Sequence, residues 1–229
     1  FAIATLHEAI VLRDAGFKED IIMLGLTPSM YADTVIKYDI TVACCDSQNA
    51  KAFDDEAGRQ GKVVKILLVC DTGMGRIGYQ ATDIEPTIAD VRKIYELPNT
   101  KIVGIFSHMS VADIVDKTYA YGQKEKFDNL CAALESAGIR LPMKTLANSA
   151  SIMEIPEVHY DACRAGIILY GLYPSDEVDR NQLSLKPVMS VKANIVHLKD
   201  VPAGFSVGYG RRYISEKPSK IATIALGYA

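Results

Sequence analysis

Several features of membrane and secreted proteins are missing from the sequence. No stretch approaches the roughly 18 consecutive apolar residues that a membrane-spanning helix requires, because the strongest apolar run, residues 63–70, is interrupted by Lys65. No signal-peptide pattern precedes the first strand-like residues. The five cysteines are odd in number and form no C-x-x-C pair, which favours reduced thiols over a disulfide framework or a structural zinc site. We therefore expect a cytoplasmic protein with no membrane segment in this span.

Charge of either sign is not in excess. The 229 residues include 25 Lys and Arg and 28 Asp and Glu, so the formal net charge is −3. This balance argues against a general nucleic-acid-binding surface and against a basic segment lying on a membrane. What is present is an ordinary globular composition, 49% hydrophobic and 23% charged, which excludes a disordered or collagen-like chain. The length suits one large domain, or one domain plus part of another.

Short β-rich segments alternate with helical patterns from Phe1 to about residue 173. The first helical pattern opens with a capping box, Thr5-Leu6-His7-Glu8. Strands that alternate with helices predict βαβ units and parallel pairing. Seven such strands fit an open doubly wound sheet or a (β/α)8 barrel of the TIM type, and the barrel needs one more βα unit upstream. The predicted strands are residues 1–4, 21–24, 41–43, 63–70, 101–106, 144–147 and 160–163.

The pattern changes beyond residue 173. A polar run with Pro174 and Ser175 at its start indicates a linker. Two β-rich stretches follow, residues 190–198 and 221–226, with a turn at 201–204 between them and no helical period. The predicted organisation is a barrel domain over residues 1–175, a linker over 176–184 and the start of an all-β domain over 185–229.

Polar residues follow several of the predicted strands. Catalytic groups of α/β barrels gather on the loops at the carboxyl ends of the strands. Here Arg76, His108, Ser149 and Arg164 all occupy such positions. Two arginines, a histidine and a hydroxyl on adjacent loops predict a pocket that binds an anion.

Each of these residues also has a purely structural interpretation. Arg76 lies among glycines that serve as turn residues, and a single histidine such as His108 is often structural. Asn148-Ser149 is a helix N-cap, a position that also favours a bound phosphate. Arg164 lies in an apolar stretch where an unpaired charge is costly, so the functional interpretation is favoured there. The other histidines have no spacing that indicates a metal site, and we expect none.

Six motifs occur in an order that resembles the alanine racemase family, and together they span essentially the whole chain. The resemblance implies a fold-type III pyridoxal phosphate enzyme, with an eight-stranded α/β barrel followed by a β domain. It also implies a head-to-tail homodimer with composite active sites and a small amino acid as substrate. Seven of the eight βα units would then be present here. The motifs are residues 71–78, 107–108 with 112–113, 148–149, 164–167 with 170–171, 207–210 and 227–229.

The resemblance assigns the two acid/base groups and the substrate contacts. Tyr209 matches the tyrosine that acts on the partner subunit's active site. The lysine that holds pyridoxal phosphate as a Schiff base lies outside this sequence. Arg76 matches the arginine that contacts the substrate carboxylate, and Tyr228 matches a tyrosine at the substrate entrance.

Cofactor-binding residues follow in the same way. Arg164 matches the arginine that faces the pyridine nitrogen, and with His108 it would form a hydrogen-bonded chain towards Tyr209. The phosphate cradle matches the Ser149 hydroxyl and two backbone N–H groups, with Asn148 supporting it. Those two N–H groups belong to Gly166 and Ile167.

One position departs from the family pattern. Many members carry a carbamylated lysine two residues before Asp71 that holds the arginine in place, whereas this chain has Val69. Another group would then have to orient Arg76.

The function implied is interconversion of L- and D-alanine, which supplies D-alanine for cell-wall peptidoglycan. Three alternatives stay open: a racemase for serine or for several small amino acids, a non-catalytic barrel that carries pyridoxal phosphate, and an inert fragment. A tyrosine on a second β-rich region argues against the carrier, since such carriers typically have one domain.

Overall fold

The computed structural model describes residues 1–227, which fall into two compact units, residues 1–186 and 187–227. Tyr228, the residue matched to the substrate entrance, lies outside the described residues, and so does Ala229.

A parallel sheet with helices between its strands forms the first unit. Its strand order is β1-β2-β3-β4-β6-β7, and the short β5 pairs with β4. Every pairing in this sheet is parallel, and the sheet curls into part of a barrel, as predicted. The strands are β1 Ala2–Ile3, β2 Ile21–Leu26, β3 Ile40–Cys44, β4 Val64–Asp71, β5 Tyr79–Gln80, β6 Thr100–Phe106 and β7 Lys144–Thr145.

Helices connect these strands, and the first and the sixth begin at the caps that the sequence predicts. Thr5 caps the first helix in a complete capping box with Glu8, and the Asp46 side chain caps the third by accepting the Asn49 N–H. The Asn148 side chain caps the sixth. The α-helices are α1 Leu6–Asp14, α2 Ala32–Lys37, α3 Ser47–Arg59, α4 Ile84–Tyr95, α5 Thr118–Ser136 and α6 Ser149–Glu154.

The strand β4 shows how the hydrophobic pattern places the core. Nearly all of its residues are buried, as expected for a parallel strand covered on both faces. Alternate side chains belong to different clusters. Ile66 and Leu68 pack in the large cluster that includes Phe127 of α5, while Leu67 and Val69 pack with Phe106 in a smaller one. The alternation follows the two-residue period of a strand.

The predicted strand at residues 160–163 is not a strand in the structure. Tyr160 adopts a positive φ of 43°, which interrupts an extended conformation. Two backbone hydrogen bonds hold the segment beside β7: the Asp161 N–H donates to the Lys144 carbonyl, and the Arg164 N–H donates to the Ala147 carbonyl. The segment therefore follows the sheet edge without joining its ladder, and it delivers Arg164 to the carboxyl end of β7.

The second unit consists of antiparallel β-structure. β8 pairs with β11, and β9 pairs with β10. The buried Ser215 joins the turn after β8 to the end of β10, because its carbonyl accepts the Gly204 N–H and its hydroxyl donates to the Pro202 carbonyl. The strands are β8 Ile195–Val201, β9 Ser206–Val207, β10 Tyr213–Ile214 and β11 Ser219–Ile224.

Within residues 1–227, no helix combines the length and the apolar character needed to cross a bilayer.

Gly104 marks a close approach between β6 and the chain entering β7. Its φ is +158°, and a Cβ at this position would lie 2.1 Å from the carbonyl oxygen of Met143. We expect Gly104→Ala to lower the free energy of unfolding by about 2 kcal/mol or more, because backbone must move to relieve the overlap. Gly122 in α5 is the matched control: a Cβ there meets nothing within 4 Å, so Gly122→Ala should stabilise by about 0.5–1 kcal/mol. Urea denaturation of both variants measures the difference, and equal effects would contradict the close approach.

Candidate active site

The loop after β4 is held by the strand's last residue. The Asp71 carboxylate accepts the Gly73 N–H at 2.8 Å and the Gly75 N–H at 3.0 Å. Gly78 closes the loop with a φ of +123°, and a Cβ there would lie 2.7 Å from the Asp71 nitrogen. Only glycine permits this approach, so residues 72–78 form a tight loop that carries Arg76 at the carboxyl edge of the sheet.

Arg76 and His108 line the same small depression at this edge, together with Phe106 and Val69. The Arg76 side chain is exposed, and no hydrogen bond to it is present among residues 1–227. Val69 is only 2% exposed and packs with Phe106 and other apolar side chains. Apolar packing therefore fills the space at position 69, and no described side chain orients the Arg76 guanidinium.

His108 is partly buried between two positive charges. Its pKa is lowered to about 4, first because burial disfavours the charged ring and then because Arg164 and Arg76 repel it. The imidazole is therefore neutral near pH 7. Arg76 lines the same depression as His108, and Nη2 of Arg164 donates to the carbonyl of Ser107, the residue before His108. The three side chains therefore lie near one another.

Arg164 is largely buried and is held by neutral oxygens only. Nη1 donates to the Thr145 hydroxyl at 2.7 Å, while Nη2 donates to the carbonyls of Ser107 at 2.6 Å and Leu146 at 3.2 Å. Its guanidinium also lies 5.4 Å from the centre of the Phe106 ring. Burial lowers the pKa of Arg164 to about 10, so the group stays charged at neutral pH.

The Nε of Arg164 is a buried donor for which the described residues provide no acceptor. It is one of two buried side-chain polar atoms without a hydrogen-bond partner in the described residues, the other being the Thr27 hydroxyl. Among those residues no hydrogen bond joins Arg164 directly to the His108 ring, so the hydrogen-bonded chain towards Tyr209 stays a prediction. A buried N–H without an acceptor is costly, and a bound ligand with an acceptor atom would remove that cost.

Ser149 and Gly166 meet beside Arg164. The Gly166 N–H donates to the Ser149 hydroxyl at 3.0 Å, and Ile167 begins the short 3₁₀ helix Ile167–Tyr170. Asn148 bonds in two directions nearby: its carboxamide oxygen accepts the Ser151 N–H, and its nitrogen donates to the Met109 carbonyl at 3.0 Å. Asn148 therefore ties the loop after β6 to the start of α6, while the Ser149 hydroxyl faces Gly166.

A cavity of about 590 Å³ opens next to these groups. Arg164, Gly166 and Thr145 line one side of it, and Ile22 and Leu24 of β2 line another. Ala2 of β1 also lines it, and Thr145 belongs to β7, so the cavity lies between the two edge strands of the sheet.

Tyr209 lies in the second unit. It starts the 3₁₀ turn Tyr209–Arg211, between Gly208 and Gly210, which both have positive φ. Its ring is fully exposed. The structure thus gathers the predicted arginines, histidine and serine within the first unit and carries the predicted acid/base tyrosine on the second.

Gln123 of α5 is a site residue that the sequence interpretation missed. Its side chain is buried and contacts Thr72, His108 and Ser110. A glutamine in the middle of a helix usually belongs to a solvated face. The signal was its spacing: Gln123 precedes Phe127 by four residues and Leu130 by seven, so it shares their buried face.

Comparisons with known proteins agree with this arrangement. Residues 1–174 match the family model "Alanine racemase, N-terminal domain", and residues 188–229 match "Alanine racemase, C-terminal domain". The chain therefore belongs to the alanine racemase family. It is 43% identical to alanine racemase 1 of Clostridium acetobutylicum and 44% identical to the alanine racemase of Clostridium tetani, over 228 residues in each case. The alignments cover 100% of this chain and 58% of each relative, so the chain spans little more than half of their length.

Solved structures show the same likeness. An alanine racemase from Clostridium difficile 630 superposes with a TM-score of 0.86 at 35% identity, covering 99% of this chain and 59% of that one. The histidine racemase from Leuconostoc mesenteroides subsp. sake NBRC 102480 superposes with a TM-score of 0.81 at 29% identity, covering 99% and 60%.

The low pKa of His108 predicts a dependence of stability on pH. The unfolded chain binds a proton near the ordinary histidine pKa of about 6.5, whereas the folded chain does so only near pH 4. The stability that His108 contributes is therefore complete above about pH 6.5 and is lost progressively as the pH falls towards 4. We expect His108→Gln to lose less stability than the wild type between pH 7 and pH 4.5. Urea midpoints at both pH values measure this.

The exposed His7 of α1 provides the control for this measurement. His7→Gln should show the wild-type loss. A His108→Gln variant with the same pH dependence as His7→Gln would mean that His108 is not protected in the folded chain.

Proposed function

We propose that the protein is a pyridoxal phosphate-dependent racemase that interconverts L- and D-alanine. The lysine that holds the cofactor would come from polypeptide outside this sequence. The observation that carries the proposal is the unpaired, buried Nε of Arg164 at the carboxyl ends of the strands. Relatives named alanine racemase, at 43% and 44% identity, support the choice of substrate.

The residues present fit pyridoxal phosphate. The ring nitrogen of the cofactor is a hydrogen-bond acceptor, which the Arg164 Nε–H lacks. The Ser149 hydroxyl and the backbone of Gly166 and Ile167 would hold the phosphate, with Asn148 supporting them. Arg164 and Gly166 both line the adjoining cavity.

Arg164 would tune the chemistry by keeping its own proton. When bound, pyridoxal phosphate supplies the electron sink for the charge left on the substrate after loss of its α-proton. With a pKa of about 10, the Arg164 guanidinium donates a hydrogen bond to a neighbouring nitrogen near pH 7 without transferring its proton. It would therefore bind and orient the nitrogen without protonating it, and this would discourage side reactions that need a protonated ring.

Racemisation requires one group on each face of the substrate, because the proton leaves one face and returns to the other. Tyr209 Oη from a partner subunit would move the proton at the substrate Cα on one face, and the lysine outside this sequence would act on the other. The full exposure of Tyr209 in this chain is compatible with a role in another copy's site. We accordingly propose a head-to-tail homodimer with composite active sites.

Arg76 would bind the substrate carboxylate. Its exposed guanidinium lines the depression shared with His108, and its planar fork matches the two carboxylate oxygens. His108 lines the same depression and is neutral near pH 7, so it adds a polar group there but no second positive charge.

Tyr228 would line the substrate entrance. The domain boundaries that we propose are residues 1–175 for the barrel domain, 176–184 for the linker and 185–229 for the start of the β domain.

We propose that the protein works in the cytoplasm, where it supplies D-alanine for cell-wall peptidoglycan. A racemase for another amino acid is the second candidate, because a histidine racemase shares this fold at 29% identity. Assays of the complete protein with alanine, serine and histidine distinguish the two. Turnover of alanine well below that of serine or histidine would overturn the proposed substrate.

Tyr209→Phe tests the acid/base assignment. Removal of the phenol should lower racemisation of alanine by about 100-fold or more, while the absorbance of the bound cofactor stays largely unchanged. The complete dimeric protein is assayed by the rate at which each enantiomer appears. Tyr213→Phe, which removes another exposed phenol from the same unit, is the control and should stay active. Near wild-type rates in Tyr209→Phe would show that the assignment is wrong.

Arg76→Ala tests the carboxylate contact. Loss of a charge-assisted hydrogen bond should raise the KM for alanine about tenfold or more and lower turnover, with cofactor retention unchanged. Arg76→Lys keeps the charge but not the fork, and it should lie between Arg76→Ala and the wild type. Steady-state kinetics and cofactor absorbance after gel filtration measure the two effects. An equal loss of bound cofactor would contradict this division of roles.

A further inference from the structure

Gln123 uses every hydrogen-bonding group of its side chain at the carboxyl edge of the sheet. It is 1% exposed. Its nitrogen donates to the Thr72 hydroxyl at 3.1 Å and to the His108 carbonyl at 3.0 Å. Its oxygen accepts the N–H of Ser110 at 2.9 Å and the hydroxyl of Ser110 at 3.0 Å. A carboxamide has two donors and two lone pairs on oxygen, so Gln123 is saturated.

The contacts continue from Gln123 to Arg164. The Thr72 hydroxyl lies 2.9 Å from the Ser107 hydroxyl, and both residues are buried. The Ser107 carbonyl accepts Nη2 of Arg164 at 2.6 Å. A single buried series of polar contacts therefore joins α5, the loop after β4, the loop after β6 and Arg164.

We propose that Gln123 is a positioning residue, which sets the loop bearing Arg76 and the loop bearing His108 at their working separation. The proposal rests on the proposed racemase function. Thr72 is the first residue of the loop that carries Arg76, and the His108 carbonyl belongs to the other loop. From its place in α5, Gln123 donates one hydrogen bond to each loop.

A buried, fully satisfied polar network has few alternative arrangements, because moving one member leaves others without partners in a medium of low dielectric. Other contacts hold each loop by itself: the Asp71 carboxylate holds the loop after β4, and Asn148 holds the loop after β6. Gln123 differs from them because it bonds to both loops at once. Gln123 therefore restricts motion where a displacement of about 1 Å can cost about 100-fold in rate.

The opposite end of the barrel offers a matched comparison. Asp54 of α3 is 2% exposed and accepts the Asn99 N–H at 2.7 Å and the Thr100 hydroxyl at 3.0 Å. These contacts join a helix to the amino end of β6, where barrel enzymes hold no catalytic groups. Thr72→Val and Thr100→Val each remove one hydroxyl that bonds to a buried helix side chain, and they do so at opposite ends of the barrel. The Thr72 hydroxyl also contacts the Ser107 hydroxyl, whereas the Thr100 hydroxyl bonds to the Asp54 carboxylate.

The experiment compares Thr72→Val, Gln123→Met and Thr100→Val in the complete protein loaded with cofactor. We expect all three to lower the urea midpoint, but only the first two to lower kcat for alanine about tenfold or more and to raise KM. Thr72→Ser keeps the hydroxyl and should restore kcat to within about threefold of the wild type. If Gln123→Met does not fold, the pair Thr72→Val and Thr100→Val carries the test.

A second measurement is independent of activity. The His108 ring is titrated by NMR in each folded variant, and its low pKa should rise in Thr72→Val but not in Thr100→Val, because release of the loop exposes the ring and moves it away from Arg164. An unchanged titration in Thr72→Val overturns the positioning role, and so do equal kinetic effects of Thr72→Val and Thr100→Val. If the wild type racemises no amino acid, the proposed function fails, while the titration still decides the role of Gln123.

Discussion

A buried guanidinium without a carboxylate partner is the constraint on which the rest of the site depends. Three neutral oxygens solvate Arg164, from the Thr145 hydroxyl and the carbonyls of Ser107 and Leu146. These dipoles lower the cost of burying the charge without neutralising it. Burial first, and then the positive charges of Arg164 and Arg76, keep His108 neutral, and these charges make this edge of the sheet favourable for an anionic ligand.

Contacts at the amino end of the barrel hold the sheet and its helices together, whereas contacts at the carboxyl end hold the loops of the proposed site. At the amino end, Asp54 joins α3 to the start of β6, and further along β6 the close approach of Gly104 to Met143 packs this strand against the chain entering β7. At the carboxyl end, the same kinds of polar contact, centred on Gln123, hold loops instead of strands. This division follows from parallel pairing, because every strand presents its carboxyl end to the same edge and the connecting loops meet there.

Much of the site could be read from residue type and position. Arg76, His108 and Arg164 each follow a β-rich run, and a shared edge brings strand ends together whatever the details of packing. Val69 shows where this reasoning ends. Its identity indicates that no lysine holds Arg76, but only the structure shows that the space is filled by Phe106 and other apolar side chains. The direction of the Arg76 side chain depends on neighbours that no local pattern specifies.

The sequence alone determined the alternation of strands and helices, the helix caps and the parallel sheet, because hydrophobic period and capping chemistry act over a few residues. The tertiary structure decided what depends on distant contacts. The positive φ of Tyr160 breaks the expected strand at residues 160–163. The segment then makes two backbone hydrogen bonds to the chain at β7 in place of a ladder. Gln123 meets Thr72 across 51 residues of sequence, and such a contact exists only once the helix and the sheet have packed.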